Sequence, residues 1–434
     1  MAEFPTIQLR VAEAAASCDA AKKILLSDLR EREATANGGQ AITVQDRITS
    51  RRGQAFAVSL AIRATEALNA STGGQGLDVS HPVQRAWRDA NAVGRHISMN
   101  WDTVGTIFKA DKKIALEEHF AIEQTVQDSA GVVPHLYWEE LKYRLLDLHE
   151  RRIREMDENG VELMILSLNA PTVQAIPDEK AAYELSRRAN DYLADQIAKR
   201  PDRFKGFAAL PMQSPELATR ELERCVTELG FVGALVNGFS QSQRDGILYY
   251  DLPQFRPFWA AVQTLDVPFY LHPRNPLPAH APIYDGHPWL LGPTWAFGQE
   301  TAVHALRLMG SGLFDDYPDL KIILGHLGEG LPYSMWRVDN RNAWVETAPN
   351  YPAKKRIADY FHANFWLTTS GNFRTQTLVD AILEIGSDRI LFSADWPFEN
   401  VDHAARWFDS ASISDNDRIK IGRTNAARLF KFEV

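Results

Sequence analysis

Glu117 and His119 stand two residues apart at the end of KKIALEEHF, after the apolar run Ile114, Ala115 and Leu116. Alternate side chains of an extended chain share a face, so Glu117 and His119 point one way and Glu118 the other. Such an E-x-H pair offers one carboxylate oxygen and one imidazole nitrogen to a single cation. Other apolar runs end in comparable groups: His272-Pro273-Arg274, His326-Leu327-Gly328-Glu329, Asp395-Trp396-Pro397, and Asn237. Adding His272 and Asp395 to the pair makes two imidazoles and two carboxylates. That mixed set suits Zn2+ or Mn2+ and leaves coordination positions for substrate oxygens. Each residue taken singly reads as a hydrogen-bonded strand end or a solvated charge; their joint occurrence at four strand ends makes a site. Glu118 is expected to be structural and paired with an Arg. Arg274 and Arg337 are candidate partners for an anion, since a guanidinium grips a carboxylate with two bonds, and a structural salt bridge explains either equally well.

These groups need elements that bring them together. From Lys112 onward, β-rich apolar runs alternate with helical segments: KIALEEHF, VELMILSLNAP, FKGFAALPM, FVGALVNGF, VPFYLHPRNP, LKIILGHLGEG, FWLTTSGNF and RILFSADWPF. Eight strand–helix units predict an α/β fold, a (β/α)8 TIM barrel, in which polar residues at the strand C-termini share one mouth. ELKYRLLDLHERRIREMDENG reads as one helix with Gly160 at its C-cap. His149 and His304 fall in helical stretches and read as core or surface; His362 and His403 look peripheral. His280 and His287 sit with Tyr284, Trp289 and Trp295 in a long loop that is expected either to wall the pocket or to stack at the rim.

Residues 1–110 read differently: Ala-rich helical spacing near 5–35 and 43–70, then HPVQRAWRDANAVGRHISMNWDTVGTIFKA as a further amphipathic helix. This segment carries 13 Lys/Arg and 11 Asp/Glu, net +2, so the remainder carries −11 of the chain's −9. Two domains are expected, a helical segment over 1–110 and the barrel over 111–434. The overall acidity argues against a general nucleic-acid or membrane-surface binder. Two cysteines, no signal-peptide pattern and no membrane-length apolar run give a cytoplasmic expectation.

The blocks IALEEHF, GFVGALVNGFSQ, LYYDLPQFRPFW, VPFYLHPRNPLP, IILGHLGEGLPY, TTSGNFRTQT and ILFSADWPFEN resemble the nonoxidative aromatic acid decarboxylases of the amidohydrolase superfamily. The likeness runs in order over about three quarters of the chain. It implies one divalent metal per subunit, Zn2+ or Mn2+, with Glu117, His119, His272 and Asp395 as ligands. It also implies His326 as a catalytic histidine oriented by Glu329, Asp395 as proton donor to the carbon that bears the carboxylate, and Asn237 and Arg337 near the substrate. The implied reaction is reversible decarboxylation of an ortho-hydroxybenzoate, 2,6-dihydroxybenzoate to resorcinol and CO2, in a homotetramer or homodimer. The loop DSAGVVP departs from the pattern with Val132 in place of a Phe.

The rival reading is metal-dependent hydrolysis, the usual work of the superfamily. E-x-H in place of H-x-H on the first strand, and no lysine to be carbamylated after the fourth, disfavour it. A noncatalytic assembly protein is the third reading, and the intact constellation argues against it. HPVQRAWRDANAVGRHISMNWDTVGTIF is similar to the closing helix of acyl-CoA dehydrogenase-like flavin monooxygenases, through Arg85, Arg88, Asp89 and His96. With the rest of that fold missing, no flavin is expected on residues 1–110.

Overall fold

The chain divides into two units, Met1–Asp111 and Lys112–Val434. A computed structural model describes residues 5–38, 44–74, 78–96, 99–101, 104, 112–131, 133–243, 246–344 and 351–432. Val132 and most of the junction before Lys112 lie outside them.

The described residues of the first unit include the helices α1 (Pro5–Asn37), α2 (Val44–Ser71) and α3 (Pro82–Gly94). α2 is the middle helix, packed against both others. α1 buries only Ala14 and Ala21 along its 33 residues. Leu9, Leu25, Leu26 and Leu29 are exposed on it, so the unit has a thin core. α3 begins where His81 accepts from the Val83 amide and Pro82 supplies a preset first turn. It stops at Gly94, well short of the helix expected to reach residue 110.

In the second unit, eight parallel strands run in the order β1 (Lys113–Phe120), β2 (Val161–Leu168), β3 (Phe204–Ala208), β4 (Gly233–Asn237), β7 (Phe269–His272), β8 (Ile322–Leu324), β9 (Phe365–Thr368) and β10 (Ile390–Leu391). They fall within the eight apolar runs, and helices alternate with them, as a (β/α)8 barrel requires. After β4 a short antiparallel hairpin intervenes, β5 (Ser240–Ser242) with β6 (Gly246–Leu248). Three-residue strands leave no readable alternation, so the sequence did not announce them.

Ile114, Ile165, Phe207, Leu235, Tyr270, Ile323 and Leu391, each from a different strand, fill the barrel interior. The closing helix Asn425–Phe430 sets Ala426, Ala427, Leu429 and Phe430 against this layer. Each large apolar side chain so buried contributes about 1.5–3 kcal/mol. One end of the barrel is therefore apolar and plugged, which leaves the strand C-termini for polar chemistry.

Two local features override the sequence pattern. ELKYRLLDLHERRIREMDENG is two helices, Trp138–Leu146 and Arg151–Glu158. Asp147 breaks it, because its carboxylate accepts from the amides of His149, Glu150, Arg151 and Arg152 and so caps the second helix. At the other feature, the described β-ladder does not continue from β10 to β1. There the His119 amide donates to the Trp396 carbonyl at 2.6 Å and Ser393 Oγ to the Leu116 carbonyl at 3.0 Å.

Candidate active site

β1 breaks alternation at Glu117. Leu116 pairs with Ile165 and Glu118 with Leu166, so Glu117 is an extra residue opposite β2. Its φ is 101°, a left-handed value that a non-glycine residue holds only under constraint. Leu116 stays in the apolar interior layer, while Glu117 turns into the polar mouth above it.

One carboxylate oxygen of Glu117 is saturated. Oε2 accepts from Tyr270 OH, from Ser370 Oγ, and from Thr368 Oγ1 at 3.2 Å. Burial and the adjacent carboxylate raise the Tyr270 phenol well above its ordinary value, so it stays a donor. Gly325 makes room: a Cβ there would lie 2.9 Å from Oε2 and 3.0 Å from Oε1. Oε1 is buried without a hydrogen-bond partner and faces His272 Nε2 at 3.4 Å and His326 Nε2 at 3.9 Å.

His119 presents the same asymmetry. Its Nδ1 meets Ser167 Oγ at 3.1 Å, while the buried Nε2 has no hydrogen-bond partner and lies 3.5 Å from Asp395 Oδ1. The His119 and His272 rings cross edge-on at 4.7 Å. Ligand atoms of Glu117, His119 and His272 all lie within 4.8 Å of one another, and Asp395 adjoins them through His119. Two buried lone-pair atoms without a hydrogen-bond partner, in a pocket of carboxylates and imidazoles, are the surroundings a divalent cation satisfies.

The open side of the cluster belongs to Asp395 and His326, whose side chains are 13% and 23% exposed against 0% for Glu117 and His119. His326 Nδ1 meets Glu329 Oε1 at 2.8 Å and Nε2 lies 3.8 Å from Asp395 Oδ2. His326, Leu327, Glu329 and Asp395 all have positive φ, so the loops carrying them are tightly wound. Gly371 lies against this pair, and a Cβ there would sit 2.8 Å from His326 Cδ2 and 3.3 Å from Asp395 Oδ2.

Burial raises the Glu117 carboxyl and depresses His272 well below its ordinary value, keeping that ring neutral as a metal ligand requires. Burial also opposes charge on His326, but Glu329 and Glu117 outweigh it and raise that ring well above its usual range. At Asp395 burial pulls upward, and the His119 and His326 rings beside it overcome this and hold the carboxyl at about 2.

Other expectations resolve variously. Asn237 is buried at the end of β4; its Nδ2 donates to the Asn169 carbonyl and its Oδ1 has no partner. Arg274 is buried, donates to the carbonyls of Gln174 and Phe239 and lies 4.1 Å over the Phe239 ring. It ties loops together and makes no salt bridge among the described residues. Arg337 is exposed on the helix Leu331–Asn342, without a partner among the described residues, so the chain does not bring it to the buried cluster. Among the described residues Glu118 makes no ion pair with an Arg; it accepts from Ser393 Oγ and the amides of Ala394 and Trp396. His304 is a core residue that accepts from the Tyr250 amide, and Trp289 and Trp295 are exposed. Sequence reasoning missed Tyr270, Thr368, Ser370, Gly325 and Gly371. Tyr270 carried a signal, lying two residues before His272 on the same strand face.

Fold and donor set together define a metal-dependent (β/α)8 barrel of amidohydrolase type. The amidohydrolase family profile matches residues 134–432. A γ-resorcylate decarboxylase from Polaromonas sp. is 74% identical over 320 residues, covering 74% of this chain and 98% of that protein. A dihydroxybenzoic acid decarboxylase from Polaromonas sp., solved with manganese and the inhibitor 2-nitroresorcinol, superposes with TM-score 0.73 at 74% identity over 74% of this chain and 97% of that one. A 2,6-dihydroxybenzoate decarboxylase solved with 2,6-dihydroxybenzoate matches with TM-score 0.72 at 71% identity over 74% and 99%. The chain belongs to the amidohydrolase family, in its γ-resorcylate decarboxylase branch. Ahead of the barrel, residues 1–101 match the acyl-CoA dehydrogenase C-terminal domain. Over 111 residues the chain is 67% identical to the oxygenase component of an FADH2-dependent resorcinol hydroxylase from Rhizobium sp., covering 25% of this chain and 27% of that protein.

Proposed function

We propose that the barrel is a carboxy-lyase that converts 2,6-dihydroxybenzoate to resorcinol and CO2, reversibly and without an oxidant. The observation that carries this is a buried donor cluster opening toward Asp395 and His326, in a chain that spans 98% of a γ-resorcylate decarboxylase at 74% identity. A divalent cation held by Glu117, His119, His272 and Asp395, Mn2+ or Zn2+, would supply Lewis acidity and a template for the acid's carboxylate and ortho oxygen.

Loss of CO2 directly from a benzoate would leave an aryl anion of prohibitive energy. Protonation of the ring carbon first avoids it. The His119 and His326 rings hold the Asp395 carboxyl low in the free site, and the ortho hydroxyl of the substrate supplies the proton that it delivers. Asp395 takes the ortho hydroxyl proton and donates it to the carbon bearing the carboxylate, which breaks aromaticity. The bond to the carboxylate then cleaves, its electron pair returns to the ring, and CO2 departs. His326, held charged by Glu329 and Glu117, faces the phenolate oxygen and gives it a proton that solvent replaces. Asn237 Oδ1 is free to accept from the second hydroxyl.

Around this core, a homotetramer or homodimer is supported by exposed Tyr333, Trp336 and Trp344. A cytoplasmic setting is supported by two unpaired cysteines, Cys18 and Cys225. The N-terminal relative is named for hydroxylating resorcinol, the product proposed here. Three helices matching about a quarter of that oxygenase bind no flavin alone, and flavin absorbance in purified protein would overturn this. The deciding experiment measures CO2 release from 2,6-, 2,3- and 2,4-dihydroxybenzoate after metal stripping and reloading with Mn2+ or Zn2+. Release from the 2,6-isomer upholds the reading; silence on every acid sinks it.

A further inference from the structure

We propose that Glu118, the middle residue of the E-E-H run, is the positioning residue for Asp395. Glu118 is fully buried and points away from the mouth that its two neighbours line. Its Oε1 accepts from the Ala394 amide at 2.8 Å and Ser393 Oγ at 3.0 Å, and its Oε2 from the Trp396 amide at 2.9 Å. Those two amides are the ones on either side of Asp395. A single carboxylate thus brackets the residue whose own carboxylate must reach both a cation and a ring carbon.

Three observations give the bracket its purpose. Asp395 holds φ at 64°, a left-handed value that needs enforcing. The enforcement comes at the seam between β10 and β1, where the ladder of the described strands does not continue. There the His119–Trp396 backbone bond is joined by the bonds that the Glu118 carboxyl group accepts from the Ala394 and Trp396 amides. Arg152 closes the assembly: it donates to the His119 carbonyl at 2.6 Å and its guanidinium lies 3.9 Å over the Trp396 ring. Glu118 therefore ties the strand carrying Glu117 and His119 to the loop carrying Asp395, and fixes the distance between the two halves of the donor set.

This rests on the catalytic reading of Asp395, and the experiment separates the two. Glu118→Asp keeps the charge near Arg152 but shortens the reach by one methylene; Glu118→Gln keeps the reach but faces an NH2 group toward an amide. A displacement of about 1 Å at a reacting group costs on the order of 100-fold in rate. Both variants should lower kcat by about 10- to 100-fold, more than any loss of metal accounts for, with KM within about twofold of wild type. If Glu118→Gln does not fold, Glu118→Asp decides. Hydrogen exchange supplies a readout without substitution: the Ala394 and Trp396 amides of the wild-type protein should be among its slowest. Unchanged kcat in a folded variant, loss of kcat only in proportion to lost metal, or fast exchange at those amides would overturn the proposal. Full activity of Asp395→Asn alongside slow exchange would instead remove the catalytic reading and leave only the clamp.

Discussion

Leu116 and Glu117 are neighbours on β1, yet both side chains face the barrel interior, one in its apolar layer and the other in its polar mouth. A regular strand cannot do this, because successive residues point to opposite faces. The extra residue at Glu117 resets the alternation, so Glu118 turns outward and His119 inward. The metal-ligand pair and the Asp395 clamp both follow from that one irregularity.

If Asp395 carries the proton, Asp395→Asn removes the transfer and keeps the shape. Turnover of 2,6-dihydroxybenzoate should fall by roughly 10²–10⁴-fold. Single-turnover CO2 release measures it, and a variant within tenfold of wild type would refute the role.

Tyr270 and Ser370 hold Oε2 of Glu117 and leave Oε1 free. Removing either hydroxyl, by Tyr270→Phe or Ser370→Ala, should weaken metal affinity about 10- to 100-fold, the usual effect of losing a partner behind a ligand. Titration calorimetry with Mn2+ reads this without reference to activity. Unaltered affinity in both variants would show that the hydroxyls do not orient the ligand.

Gly325→Ala would place a methyl group 2.9 Å from Glu117 Oε2, where no flexible surface can yield. We expect destabilisation of about 1–3 kcal/mol together with metal loss, measured by denaturant unfolding and elemental analysis. Wild-type stability and full metal content would count against the cradle.

Metal removal should lower stability even without substrate, because a cation binds the assembled donors and not the unfolded chain. Metal at 100 times its Kd adds about 2.7 kcal/mol. Chelator should lower Tm, and Mn2+ or Zn2+ should restore it; a Tm indifferent to both would contradict the site.

His304 gives a pH signature away from the cluster. Burial, with Arg307 nearby, depresses its pKa to about 3, and its Nε2 accepts from the Tyr250 amide. The folded chain refuses a proton that the unfolded chain accepts below about 6.5. Its contribution is therefore intact above that pH and is lost as pH falls toward 3. At pH 4.5 the loss is roughly 2–3 kcal/mol. Denaturation of wild type and His304→Gln at pH 7.5 and 4.5 checks it: the wild type should lose the larger amount on acidification.

How much of this was legible depended on the range of the forces involved. Eight strands, and the placing of Glu117, His119, His272, His326, Glu329 and Asp395 at their ends, could be read from the chain because apolar runs and two-residue alternation are local. Helix ends were less legible: Asp147 divides a helix that periodicity presents as continuous, and a side-chain cap leaves no trace in hydrophobic spacing. Arg337, expected near substrate, is exposed, because a strand-end motif does not specify which way a residue two turns into the next helix faces. Tertiary structure alone decided the bulge that turns Glu117 inward, the hydroxyls of Tyr270, Thr368 and Ser370 on it, and Glu118's grip on both sides of Asp395. Those contacts join residues more than 150 positions apart. Alternation along β1 could say that Glu118 faces away from Glu117; only closing the barrel could bring Ala394 and Trp396 to meet it.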